Sequence, residues 1–363
     1  MTSTIDSDWE SFIDPNFTIG EEQISQQEEK PFQKSVPLCS DLYVSTQTKI
    51  VFLQNEKVEN IILDLNTLFW NIQVQDYKIP KEGVIKKQIK LTSTTEEELN
   101  MIEAQIEKET QRCSNILLSN CRNNGQLKHT QKINVGISKK DVISCRVKEK
   151  GAFYNCFVLV FRIQNSDGNF KEIHVKLFNT GKLEIPGIKY DYELHKTLSL
   201  LVDILSEVAP YPLSYKDTNI STVLINSNFN CGYYINRDEM YNLLRNKYNI
   251  IAVYDPCSYP GIQCKFYYNN SKLMQNGKCE CAVRCCKNKR LSYNCQEISF
   301  MIFRTGSVLI VGRTTLSIIQ CVYQYLKDVF AHNYDVLYVE YKGVIKQKHK
   351  NRTIKKQILI SNV

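Results

Sequence analysis

From residue 43 onward, the apolar and polar positions run through one order of elements twice. The stretch "YVSTQTKIVFLQN" (43–55) has the β-branched and apolar content of a strand, and "IILDLNTLFWNI" (61–72) follows with Leu65, Leu68 and Phe69 at helical spacing after Asp64. In the second pass "NISTVLINSNFN" (219–230) predicts a strand and "INRDEMYNLLRNKY" (235–248) a helix, with Asn236 as its cap and Met240, Leu243 and Leu244 on its buried face. Both strands open on a Ser-Thr pair, Ser45-Thr46 and Ser221-Thr222. Each pass then carries an apolar strand that breaks and at once resumes, "HVKLFNTGKLEIPG" and "SFMIFRTGSVLIVG". Phe178, Thr180-Gly181 and Gly187 each lie 125 positions before Phe303, Thr305-Gly306 and Gly312. Each pass ends in a helical stripe, Leu194, Leu198, Leu201 and Leu205 in the first and Leu316, Ile319, Val322 and Leu326 in the second. Self-similarity on this scale predicts two related lobes, each exposing an apolar sheet face and edge that the other continues.

The passes differ by insertions. Residues 71–150 interrupt the first and include "TSTTEEELNMIEAQIEKETQRC", where Thr94 followed by Glu97 reads as a capping box ahead of a Leu99, Ile102 and Ile106 stripe. A cysteine-rich insertion, 268–296, lengthens a hairpin of the second. The layout expected is an acidic, disordered tail over 1–41, a first repeat over 42–210, a second over 211–338 and a basic tail over 339–363.

Charge sharpens this layout. The chain of 363 residues carries a net +8, but residues 1–40 hold eight acids against Lys30 and Lys34, a net −6, so the remainder carries +14. That split favours an anionic partner for the folded part, nucleic acid being the commonest, with a basic solvated surface as the plainer alternative. Hydrophobic content of 43% suffices for a buried core. No apolar run approaches the roughly 18 residues that cross a bilayer, and "MTSTIDSDWESF" is acidic where a secretion signal is basic. An intracellular protein is expected, with no membrane association, so its fourteen cysteines read mostly as reduced thiols. Cys279, Cys281, Cys285, Cys286 and Cys295 lie close enough together for a tetrahedral zinc site, but without a paired C-x-x-C knuckle; unligated thiols on a loop are the other reading. No other cofactor is implied.

The second pass resembles the TATA-box-binding protein family, most nearly its divergent members in giant DNA viruses. "VYDPCSYPGIQCKFYY" is similar to the family's Tyr-Glu-Pro-x-x-Phe-Pro-Gly strand, and "FMIFRTGSVLIVG" to its Phe-x-Ser-Gly-Lys-x-x-x-Thr-Gly hairpin. The resemblance spans roughly 42–208 and 218–335 and is weaker in the first half. It implies an α+β fold, a pseudo-two-fold saddle of two repeats whose curved antiparallel sheet carries helices on its convex face and DNA on its concave one. It further implies that Phe178 and Phe303 are wedges pushed between base steps, with Tyr259 as partner wedge in the second repeat and Phe157, beside Cys156, in the first. The family reads its site partly through an Asn on the first strand of each repeat. Here Ser-Thr pairs stand there, which makes Thr46 and Thr222 the candidate donors to A·T acceptors. Lys182 is kept after Gly181, whereas Ser307 replaces the second lysine; Arg162 and Arg304 are further candidate DNA contacts.

What the resemblance implies is a viral initiation factor that binds and bends double-stranded, A·T-rich promoter DNA and recruits RNA polymerase or general transcription factors. The host nucleus or a cytoplasmic viral factory is its expected place, with packaging in the virion as a further option. The rival reading is a saddle that binds transcription proteins without bending DNA. An enzyme is not expected, since the chain has no phosphate-binding glycine loop, no H-E-x-x-H and no G-x-S-x-G.

Overall fold

The computed structural model describes residues 36–56, 61–123, 126–143, 155–279 and 295–340. But for Val36, these belong to one compact unit that begins at Pro37. Residues 1–35 of the expected acidic tail, residues 341–363 of the expected basic tail, and Cys281, Cys285 and Cys286 lie outside the described residues, while Ser40 bonds to Asn230 of the sheet.

Strands form over the stretches 43–52 and 221–230 and on both sides of the two Phe-x-Thr-Gly breaks, as the pattern predicts, and others that the pattern does not predict join them. In chain order these are β1 (Tyr43–Phe52), β2 (Gly83–Ser93), β3 (Cys113–Asn123), β4 (Gln126–Gly136), β5 (Cys156–Gln164), β6 (Phe170–Phe178) and β7 (Lys182–Ile188), followed by β8 (Ser221–Asn230), β9 (Tyr234–Ile235), β10 (Ile251–Val253), β11 (Ile262–Asn269), β12 (Cys295–Ile302), β13 (Ser307–Gly312) and β14 (Tyr338–Val339). Twelve of them make one antiparallel sheet in the order β10-β11-β12-β13-β8-β1-β7-β6-β5-β2-β4-β3, while β9 and β14 pair separately. Outward from the central β1–β8 pair, both sides run in the same way: β7, β6, β5 and β2 on one, β13, β12, β11 and β10 on the other. The hairpin β3–β4, supplied by the first insertion, extends only one end.

The helices are α1 (Leu65–Asn71), α2 (Glu96–Lys108), α3 (Lys139–Ile143), α4 (Asp191–Val208), α5 (Arg237–Asn242), α6 (Leu316–His332) and α7 (Tyr334–Leu337). Asp64 caps α1 by accepting from the Asn66 and Thr67 amides, and Asn236 caps α5 by accepting from Glu239. The cap of α2 lies one residue later than the sequence suggests: Thr95 accepts from the Glu98 amide, and Glu98 reaches back to the amide and hydroxyl of Thr94.

Two apolar interiors lie on the same side of the sheet. One gathers Val51, Leu159, Phe161 and Leu183 beneath Leu194, Leu198, Leu201 and Leu205 of α4, and the other gathers Phe229, Phe266, Phe300 and Ile310 beneath Ile319, Val322 and Leu326 of α6. Leu316, expected on that second stripe, is 44% exposed. It is the first residue of α6, and Ile318 is buried in its stead.

A buried lysine lies among these apolar residues. Lys87 of β2 is 1% exposed, its Nζ 3.0 Å from the Ile72 carbonyl oxygen and 2.9 Å from Glu109 Oε1, over the rings of Phe69 and Trp70. Burial pushes the ammonium below the usual lysine range, and Glu109 pushes it back. The unfolded chain therefore binds this proton more tightly, so stability rises as pH climbs through the lysine range. Removing the carboxylate alone leaves a buried charge uncompensated. In urea unfolding, Glu109→Gln is expected to cost about 3 kcal/mol, and the double variant Lys87→Met/Glu109→Gln to recover most of it.

The two Phe-x-Thr-Gly turns close alike. The Gly181 amide donates to the Phe178 carbonyl and the Gly306 amide to the Phe303 carbonyl, each at 3.0 Å, with φ of 72° and 79° at the glycines. Their surroundings differ. A Cβ on Gly306 would run into the Tyr233 carbonyl oxygen, whereas one on Gly181 would meet a methyl of Ile61 at 3.3 Å. Both alanine variants lose stability through the positive φ. Gly306→Ala is expected to show the larger drop in melting temperature, because backbone has to move.

Candidate nucleic-acid interface

The face of the sheet opposite α4 and α6 is open over most of its area, and strand parity decides which side chains it carries. Phe157 pairs with Leu177, and Cys156 with Phe178. Leu177 is fully buried under the helices, so Phe157 lies on that side, 1% exposed and edge-on to Phe69 at 6.0 Å. The expectation that Phe157 is a wedge is therefore corrected: a one-residue step along a strand exchanges its faces. Phe178 does lie on the open face, half-buried, with Lys182 Nζ 5.3 Å from its ring centroid. Its neighbour across the ladder is the buried thiol Cys156, whose pKa is raised by burial.

The second half holds a complete aromatic pair on the open face. Phe303 and Tyr259 stand edge to face with centroids 6.0 Å apart. The Tyr259 hydroxyl points at Met301 Sδ, 3.6 Å away. Gly261 makes the pair possible, since a Cβ there would come within 2.9 Å of Phe303 and 3.0 Å of Tyr259. Arg304, in the turn beside Phe303, is exposed. Ser307 bonds Thr305 and Asn230 through its hydroxyl, a short local tie at the position where the family carries a lysine.

At the middle of the face, Thr46 Oγ1 accepts from Asn226 Nδ2 at 3.1 Å. Asn226, Asn228 and Asn230 alternate along β8, opposite Val311, Leu309 and Ser307. This row of amides is the polar feature of the open face that sequence reasoning missed, although the spacing in "NSNFN" was its signal. Thr222 does not join it. Its hydroxyl accepts from Lys49 Nζ at 2.9 Å and bonds Gln47, and Lys49 lies 3.9 Å from Asp191 at the start of α4. A bulge at Thr48/Lys49 in the β1–β8 ladder turns this end toward the helices.

Arg162 is likewise corrected. It is 6% exposed, donates to the Tyr77 and Ile79 carbonyls at 2.9 and 2.8 Å, and stacks on Tyr77 at 4.5 Å. Its charge holds the loop before β2 against the sheet and does not face solvent. One turn of helix, α3, crosses the same region, where Asp141 binds Lys86 Nζ at 2.7 Å and the Lys139 amide donates to Glu172. Of the cysteine cluster, Cys279 is half-buried and Cys295 buried. Among the described residues no group of three or more His, Cys, Asp or Glu is placed to hold a metal ion, and no helix is long and apolar enough to cross a membrane.

A broad antiparallel sheet with helices, α+β in class, thus offers an open face that bears aromatic side chains at two matching turns and amides between them. The chain is 21% identical over 220 residues to a "TATA-box-binding protein-like" protein of Acanthamoeba polyphaga mimivirus, a match that covers 54% of this chain and 54% of the relative. The resemblance read from the motifs, to divergent viral TATA-box-binding-protein-like proteins, is shown by this match, although the chain spans only about half the relative's length. Among solved structures, Methanococcus jannaschii TBP aligns over 69% of this chain and 98% of its own, with 12% identity and a TM-score of 0.32, too low to carry weight by itself. No protein-family model matches the chain.

The two faces of β5–β6 give opposite stability signatures. In chemical denaturation Phe157→Ala is expected to cost about 3–5 kcal/mol, the range for a core aromatic. Phe178→Ala is expected to cost about 1 kcal/mol or less, the range for a surface side chain.

Proposed function

We propose that the protein is a DNA-binding transcription initiation factor that takes A·T-rich promoter DNA by the minor groove across the open face. On this reading the two sides of the β1–β8 pair are two saddle repeats, the sheet is curved with its helices on the convex side, and Phe178 and Phe303 enter base steps at separate places. Unstacking a step costs a few kcal/mol, which contact with bent DNA offsets, a balance for which TATA-box-binding protein is itself the standard example. The relative's printed name supports the transcriptional role. The observation that carries most weight is the Tyr259–Phe303 pair over Gly261, an aromatic couple held at a sheet turn with room made for it by a glycine.

The amides of Asn226 and Asn228 and the hydroxyl of Thr46 supply groups for the acceptors that A·T pairs present in the minor groove. The helix-bearing side is left for RNA polymerase or general transcription factors. No catalytic step and no cofactor form part of this reading.

A specific observation favours the rival, a protein-interaction module that bends no DNA. Phe178 has a buried thiol where Phe303 has a tyrosine, so the first half holds one aromatic wedge and not two. Equilibrium binding to A·T-rich and G·C-rich duplexes, read by fluorescence anisotropy, separates the readings. Wild type is expected to prefer the A·T-rich duplex, and Phe303→Ala to weaken that binding at least tenfold, with Phe178→Ala weakening it less. Equal, weak binding by all three proteins to both duplexes supports the module.

A further inference from the structure

Residues 37–42 run as a strap alongside the end of β8. The Ser40 amide donates to the Asn230 carbonyl and the Asn230 amide to the Ser40 hydroxyl, each at 2.8 Å. From α6 the Tyr323 hydroxyl donates to the Ser40 carbonyl, also at 2.8 Å. Two residues beyond Asn230, a Cβ on Gly232 would come within 3.0 Å of Pro37 and 3.1 Å of the Leu38 carbonyl oxygen. The two segments are therefore antiparallel, with Ser40 against Asn230 and Leu38 against Gly232, which sets Cys39 opposite Cys231.

Amide direction fixes the kind of pair. The Asn230 amide points to the strap, and the Cys231 amide points the other way, to the Gly306 carbonyl at 2.9 Å. Cys39 and Cys231 thus hold a non-hydrogen-bonded position, where facing Cα atoms stand about 4.5 Å apart. That falls within the span of about 4.4–6.8 Å that a disulfide bridges. Side-chain direction agrees, since Cys231 is part of the second apolar interior and Cys39 packs against that same interior. Both are free thiols, Cys39 half-buried and Cys231 buried. Burial raises the Cys39 thiol, and Lys327 draws it back. Burial pushes the Cys231 thiol up to about 12, and the charge of Cys39 adds to the rise. Cys39 is the one that meets a reagent first, and Cys231 is reached through it.

We propose that Cys39 and Cys231 form a redox pair that a low-molecular-weight disulfide, such as oxidised glutathione, closes into an intramolecular bond. The Cys39 thiolate attacks one sulfur of the reagent, giving a mixed disulfide and releasing one thiolate. Cys231 gives up its proton and attacks Cys39 Sγ, and the second thiolate leaves. The two cysteines lose two electrons and two protons, and the reagent becomes two thiols. The bond braces the turn that carries Phe303. Cys231 holds Gly306 through its amide, and its Sγ lies 2.9 Å from where a Cβ on Gly306 would stand, so a strap joined to Cys231 is joined to that turn. At the matching turn the amide that donates to the Gly181 carbonyl belongs to Leu53, so the brace is a feature of the second half. It does not depend on whether the open face binds DNA.

The test treats the full chain with oxidised glutathione, maps its cysteines by mass spectrometry of a non-reduced digest, and follows thermal melting. The expected result is a peptide pair joined through Cys39 and Cys231, with a melting temperature about 5 °C higher that dithiothreitol reverses. Cys39→Ser, a change at a half-buried position outside any strand, is expected to melt like reduced wild type and to show no rise with the oxidant. Recovery of Cys231 as a free thiol, with Cys39 free or held as a mixed disulfide with glutathione, overturns the pair. A rise of equal size in Cys39→Ser overturns the brace by assigning it to other cysteines. The wild-type map decides even where the variant folds poorly.

Discussion

The pairing of β1 with β8 is the constraint on which the rest depends. These strands are more than 170 residues apart in sequence, and without their ladder each half would leave a sheet edge and its backbone groups unpaired. Joined, they make one continuous sheet, place the rows of Thr46 and Asn226 side by side, and set the positions of the two Phe-x-Thr-Gly turns relative to one another. The ladder is irregular, with shifts at Val44/Thr46 and Thr48/Lys49. Those bulges give the centre of the sheet unequal halves. Thr46 stays on the open face, while Thr222 is drawn to Lys49 on the helix side.

Much of the fold was legible because its signals are local. The stripes of α4 and α6, the caps at Asp64 and Asn236 and the breaks at Gly181 and Gly306 each depend on a few neighbouring residues. Side-chain parity was not legible in the same way. Phe157 and Phe178 are both aromatic and both lie at the ends of apolar strands, yet one packs on Phe69 and the other looks out, because a ladder fixes parity and the ladder partner is remote in sequence. Arg162 failed as a candidate for a related reason. What buries it is a loop some eighty residues earlier, whose carbonyl oxygens bind the guanidinium.

Charge is sorted across the sheet as apolarity is. In the first half the glutamates of α2 lie over one face, and the lysines of β2 and β4 lie on the other. Lys87, the one lysine of β2 that points inward, is matched by Glu109. The second half has less of this sorting and a better aromatic pair. The two halves thus differ at their matching turns, with a ring pair at Phe303 and a ring beside a buried thiol at Phe178.

On the proposed reading, DNA is bent where it lies on the open face. Energy transfer between fluorophores at the two ends of an A·T-rich duplex, measured at low salt with the full chain, tests it most directly. The expected result is a shortening of the end-to-end distance that is lost when Phe178 and Phe303 are both replaced by alanine and the protein stays folded. An unchanged distance with wild type bound to the duplex would contradict it.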